Sequence, residues 1–189
     1  MLEIHEKEPD KLTRKEIVSI LYSLTFAGHE TTNYLIGNMV RRLLEDPQRW
    51  DAVVENPELI ARAVDEVLRY DTSVPIWRRA TTRSTELGGI ELPAGAKLLL
   101  WLAAAGRDSD AFPKPETFDL ARTNASKTFA FGEGVHYCLG AALGKLEARL
   151  ALEALPSRFP RLRLLKDQIL DFRPNLSFRG PEALWVTAV

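Results

Sequence analysis

Phe131-Gly132-Glu133-Gly134-Val135-His136-Tyr137-Cys138-Leu139-Gly140 is the most informative stretch of this 189-residue chain. Glycines 132, 134 and 140 permit positive φ and let the backbone approach something closely. Cys138 is the only cysteine, and it stands where this loop gives way to a helical pattern. A helix N-terminus there can stabilise a thiolate. The residues alone leave several chemistries open. One is a small buried cysteine beside ordinary turn glycines, and another is a cysteine nucleophile with a histidine base. Zinc fits poorly, because His5, His29 and His136 lack the clustered spacing of zinc ligands.

Outward from the loop, Leu139 to Leu155 reads as a helix rich in alanine and leucine, with Pro156 as its stop. Beyond it, Leu162 to Leu165 and Leu184 to Val186 read as edge strands. Before the loop, Gly106 to Tyr137 shows no period and is rich in Pro, Gly, Asp and Ser. Structureless connections of this length tend to be functional. From Val74, Pro75, Gly88-Gly89 and Pro93-Ala94-Gly95 punctuate short runs that predict a small antiparallel sheet. Asp46-Pro47 and Asn56-Pro57 look like caps with proline at the first helical position, starting helices through Val54 and from Pro57 to Tyr70. Thr13 and Glu16 form a capping-box pattern. It opens one helix from Arg14 to Glu45, roughly 48 Å long at 1.5 Å per residue. Residues 1 to 12 are polar and expected to fray.

Composition narrows the classes. The chain is 46% hydrophobic and 27% charged, which suits a globular protein of about one domain. Lys plus Arg (25) against Asp plus Glu (26) gives a net charge of −1, so nothing electrostatic points to nucleic acid or an anionic membrane. The longest apolar run, Leu98 to Ala105, is far short of the ~18 residues of a membrane span. A single cysteine forms no intrachain disulfide, which suits the cytoplasm.

Two further patterns carry polar groups on helices. Ala27-Gly28-His29-Glu30-Thr31-Thr32 interrupts the apolar face of the long helix. Either threonine can bond the carbonyl four residues back, which with Gly28 favours a bend or an opened turn. A polar patch on a surface helix would look the same. Glu66 and Arg69 are three apart and can pair. With Glu58, Arg62 and Asp65 they also read as a solvated charged face opposite Ile60, Val64, Val67 and Leu68.

Taken whole, the cysteine stretch resembles the haem-binding loop of the cytochrome P-450 family, Phe-x-x-Gly-x-x-x-Cys-x-Gly, through Phe131, Gly134, Cys138 and Gly140. The resemblance implies haem b with Cys138 as axial thiolate and metal ligand, Gly132 within the loop, and His136 at a haem propionate. Ala27 to Thr32 is similar to the family's distal-helix signature. It implies Ala27 and Gly28 against the cofactor, and Glu30 and Thr31 as the catalytic acid and alcohol that relay protons. Glu66 and Arg69 match the family's Glu-x-x-Arg structural lock. Arg78 matches a propionate-binding arginine, and Arg179-Gly180-Pro181 resembles the C-terminal hairpin.

There are departures. Thr128 stands where a histidine is usual, and Gly106 where an asparagine is usual. Thr117 replaces an arginine that commonly completes the lock, which deprives Glu66 and Arg69 of their third partner. Family members are longer, and this chain starts just ahead of the distal helix. The expectation is therefore a mainly α fold with small antiparallel β-sheets, residues 1–189 forming the C-terminal half of the family's haem domain. The implied function is a monooxygenase. It would insert one oxygen atom of O2 into a small organic substrate, with electrons from a ferredoxin or flavoprotein. The alternatives are a remnant that binds haem weakly or not at all, self-associating through surface left bare, and a cysteine hydrolase.

Overall fold

The computed structural model describes residues 1–188. Four helices build the frame: α2 (Arg14–Leu44), α3 (Pro47–Glu55), α4 (Leu59–Tyr70) and α6 (Ala141–Arg158), with short α1 (Leu2–Lys7) and α5 (Leu102–Ala105). Three two-stranded antiparallel ribbons complete it: β1 (Ile76–Ala80) with β4 (Lys97–Trp101), β2 (Thr85–Leu87) with β3 (Ile90–Leu92), and β5 (Leu162–Leu164) with β6 (Val186–Ala188). The predicted mainly helical architecture is thus the observed one.

Local chemistry explains the boundaries. The Thr13 hydroxyl accepts from the Glu16 N–H at 3.3 Å, while the Glu16 carboxylate accepts from the Thr13 N–H at 2.8 Å. That reciprocal cap satisfies two of the orphan donors at a helix start. It also holds the Glu16 carboxyl below the usual range, through the Thr13 hydroxyl first and its N–H second. The sign follows. A depressed folded-state pKa adds stability that is complete above the ordinary glutamate range and is lost as pH falls through the folded value. Acid titration of amide exchange at residues 13–18 should show early fraying in the wild type. Glu16→Gln should flatten that dependence, and an unchanged profile would refute the cap's role.

Asp46 caps α3 by accepting from the Gln48 N–H at 3.0 Å, with Pro47 at the first helical position. Two expectations at the helix ends fail. Pro156 lies inside α6, which continues to Arg158, and residues 2–7 form α1 rather than fraying. His5 explains the second: Nδ1–H donates to the Leu12 carbonyl at 2.9 Å and Nε2 accepts from Arg14 Nε at 3.3 Å.

The core gathers the C-terminal half of α2 against α3, α4 and α6, through Leu35, Met39, Leu43, Trp50, Val53, Val67 and Leu152. Trp50 is wholly buried and its indole N–H donates to the Pro160 carbonyl at 3.2 Å. Most of the other half of α2 is bare, although Ile17 is buried. Val18, Leu21, Tyr22, Leu24 and Phe26 are exposed, Tyr22 at 75%. A helix that is apolar on all sides is one that wants cover on all sides.

The charged-face reading of α4 also fails for two residues. Glu66 and Arg69 are both 0% exposed, because the irregular segment after α5 folds over them. Arg69 binds Glu66 through Nε (2.8 Å) and Nη2 (2.7 Å). Its remaining donors reach the carbonyls of Gly106 (2.7 Å), Pro115 (2.9 Å) and Thr117 (3.0 Å). The segment shows no periodicity because its order comes from backbone carbonyls held by a buried guanidinium, which no side-chain pattern records.

The third partner expected to be lost is present. Arg122 Nε stands 3.2 Å from Glu66 and its other nitrogens reach the Pro113 and Lys114 carbonyls. Thr117 therefore costs the lock nothing. Gly106 has a local reason: its position against the Arg69 carbonyl leaves no room for a Cβ.

Candidate functional site

The cysteine loop hangs between the lock segment and α6. Gly132 and Gly134 adopt φ of 73° and 74°, in the left-handed region that favours glycine. Gly140 does not. Its φ is −87°, and a Cβ there would stand 4.0 Å from Cys138 Sγ, an ordinary contact distance. The turn is pinned by the Cys138 N–H donating to the Phe131 carbonyl at 3.0 Å. The Cys138 carbonyl in turn accepts from Ala141 at 3.2 Å, delivering the chain into α6. The result is an exposed thiol just ahead of a helix N-terminus.

Phe131 anchors the loop from the other side. Its half-buried ring packs against the core, meets Tyr137 edge-to-face at 6.4 Å and lies 5.9 Å below Lys145 Nζ. Lys145 also pairs with Asp65 of α4 at 2.8 Å. The cysteine loop, α6 and the lock helix are thus one assembly.

The distal signature sits on α2, which runs unbroken through it. No turn opens. Thr31 instead donates its hydroxyl to the Ala27 carbonyl at 2.6 Å, the back-bond expected of a helical threonine. Glu30 and Thr31 are half-buried, while Ala27 and Gly28 are exposed. A Cβ on Gly28 would meet nothing within 4 Å. Ser19, Ile20, Ser23, Leu24 and Ala27 form an open, mostly apolar face along the same helix. Helix α2 meets α6 where Thr32 Oγ1 would lie 3.9 Å from a Cβ on Gly144, in the first turn of α6. That contact ties the polar patch to the helix that Cys138 opens.

Arg78 lies on β1, opposite Leu99 of β4, and is exposed. Neither its guanidinium nor the His136 ring has a hydrogen-bond or ion-pair partner among the described residues. Exposed apolar side chains surround these groups in the sequence: Trp77 beside Arg78, Phe129, Leu139 (88% exposed) and Leu143 around the loop. Among the described residues no three His, Cys, Asp or Glu gather as a metal cluster. No helix is long and apolar enough to cross a membrane.

Sequence reasoning missed Arg122 and Asp71. Arg122 stands five residues past the position where an arginine was sought, and only the fold brings it to Glu66. Asp71 follows α4 and belongs to no motif.

Comparison with known proteins gives a consistent answer. Residues 1–178 match the family model described as Cytochrome P450. The chain is similar to erythromycin C-12 hydroxylase of Saccharopolyspora erythraea, 42% identical over 167 residues, covering 88% of this chain and 42% of that protein. It is also similar to vitamin D(3) 25-hydroxylase of Pseudonocardia autotrophica, at 39% identity over 99% of this chain and 47% of the relative. Among solved structures, cytochrome P450 CREJ in complex with (4-ethylphenyl) dihydrogen phosphate superposes with a TM-score of 0.94 and 47% identity, over all of this chain and 47% of that one. The chain spans about half the length of the curated relatives it matches.

Proposed function

Because the chain belongs to the cytochrome P450 family, we propose that it carries the cofactor-binding and proton-delivering parts of a haem-thiolate monooxygenase. The observation that carries this reading is the exposed Cys138 thiol on a loop bent by two positive-φ glycines and clamped to Phe131. The residues present fit haem. A soft sulfur donor suits iron. Gly28 and Gly134 leave open space where a Cβ would stand, as a flat ring requires. Arg78 and His136, without carboxylate partners of their own, suit the two propionates. Haem, when bound, supplies the redox chemistry by which one atom of O2 enters an organic substrate and the other leaves as water.

The chain's own residues do the rest. Cys138 presents its sulfur from a loop pinned at Phe131, and the Glu66–Arg69–Arg122 lock fixes residues 106–119, the segment leading toward that loop. Thr31 holds a hydroxyl proton on the Ala27 carbonyl. Rotation about χ1 would turn that proton toward the open side of α2, and Glu30 beside it would replenish the proton. Electrons would come from a ferredoxin or flavoprotein in the cytoplasm. A small organic substrate would lie against the face of α2 beside Ala27.

The test is turnover of haem-loaded protein with a ferredoxin and its reductase, scoring product formed per electron consumed. Glu30→Gln and Thr31→Ala should each lower that ratio about 100-fold, the contribution of a positioned proton donor. Variants that couple as well as wild type would refute the relay. The bare half of α2 favours a second reading for the 189-residue chain by itself. In it, haem binds weakly and copies associate through Val18, Tyr22 and Phe26. Concentration-dependent sedimentation together with no haem uptake would select it.

A further inference from the structure

Asp71 lies in the turn between α4 and β1 and is 6% exposed. Three guanidinium groups converge on it. Arg41 pairs with Oδ2, Arg42 Nε donates to the same oxygen at 2.9 Å, and Arg179 Nε stands 3.5 Å from Oδ1. Arg41 and Arg42 end α2, whereas Arg179 belongs to the strap that leads to β6. Glu45 shares the charge of the first two, at 2.5 Å and 2.9 Å. Burial disfavours the Arg42 charge, but Asp71 and Glu45 outweigh it and hold the group above its ordinary pKa. Among the described residues Asp71 is the only carboxylate paired with Arg179.

Backbone bonds complete the joint. Asn38 Nδ2 donates to the Asp71 carbonyl at 3.1 Å and to the Arg179 carbonyl at 2.9 Å. The Arg179 N–H donates to the Ser73 carbonyl at 2.9 Å. The Phe172 ring packs 5.6 Å from the Arg41 guanidinium and 4.8 Å from that of Arg179.

Each arm leads to the candidate site. Helix α2 carries Phe26 to Thr31, and the turn after Asp71 runs through Pro75 into β1 and Arg78. The strap sets Phe178 edge-to-face on Phe26 at 6.0 Å and crowds Gly180 against Tyr34. We infer that Asp71 is a positioning residue: one buried carboxylate fixes α2, the turn into β1 and the C-terminal strap relative to one another. It thereby sets the spacing of Phe26, Arg78 and Phe178. The consequence for substrate fit rests on the function proposed above, while the joint itself does not.

Hydrogen exchange of the haem-free chain, read by mass spectrometry, tests this independently of turnover. Asp71→Asn keeps the shape and removes the charge. Exchange in residues 72–78 and 172–182 should rise about tenfold or more, with α4 and α6 unchanged. Asp71→Glu, which restores the charge, should recover strap protection better than Asn does. Unchanged exchange in the strap, a uniform rise that includes α6, or better rescue by Asn than by Glu would each overturn the inference. If Asp71→Asn fails to fold, Arg179→Ala removes only the strap arm, because Arg179 is half exposed. It should loosen 172–182 alone, and a strap that stays protected would be contrary to the proposal.

Discussion

Arg69→Ala should unfold the chain or leave it barely stable, at a cost of about 3–5 kcal/mol, because it strands the buried Glu66 carboxylate. Arg69 satisfies Glu66 twice and three backbone carbonyls besides, all inside the protein. Removing it leaves a charge and several carbonyls buried without their partner. Arg122 offers only partial compensation, since it already serves Glu66, Pro113 and Lys114. Arg69→Lys should be nearly as harmful, because a single ammonium cannot fork across Glu66 and still reach three carbonyls. The measure is denaturant unfolding beside Arg62→Ala, an exposed neighbour on the same helix that should change stability by less than about 0.5 kcal/mol. Equal, small effects for both would mean that the lock does not hold the segment.

The reading of the sequence succeeded where local chemistry decides structure. The Thr13–Glu16 box, Pro47 behind Asp46 and the apolar stripe of α4 each record their role in adjacent residues, and each stands as read. Recognition of the cysteine loop depended likewise on contiguous residues. What the sequence hides of the lock and of Asp71 is long-range contact. Glu66 and Arg69 look like solvated charges until residues 106–122 close over them. Arg122 is invisible because sequence spacing does not say which arginine returns to Glu66. Gly140, which permits positive φ, has an ordinary backbone, and nothing in the structure explains the glycine there. Thr31 makes the back-bond to Ala27 that its position allows, without the bend or opened turn that Gly28 favours. Asp71 had no signal at all, since its three arginines lie 30, 29 and 108 positions away in the chain.

If Cys138 binds haem iron as a thiolate, as we propose, substitution there should have the largest effect on the cofactor. The sulfur is exposed, its loop is fixed at Phe131 and Ala141, and no other cysteine exists to replace it. A thiolate donates far more electron density to iron than a neutral nitrogen or water ligand, so ligand identity is legible in the absorption spectrum. Haem reconstitution followed by the reduced carbon-monoxide difference spectrum, with wild type beside Cys138→Ala, is the most direct measurement. A strongly red-shifted Soret band is expected in the wild type and should disappear in the variant. A band at the neutral-ligand position in both proteins would contradict thiolate ligation by Cys138.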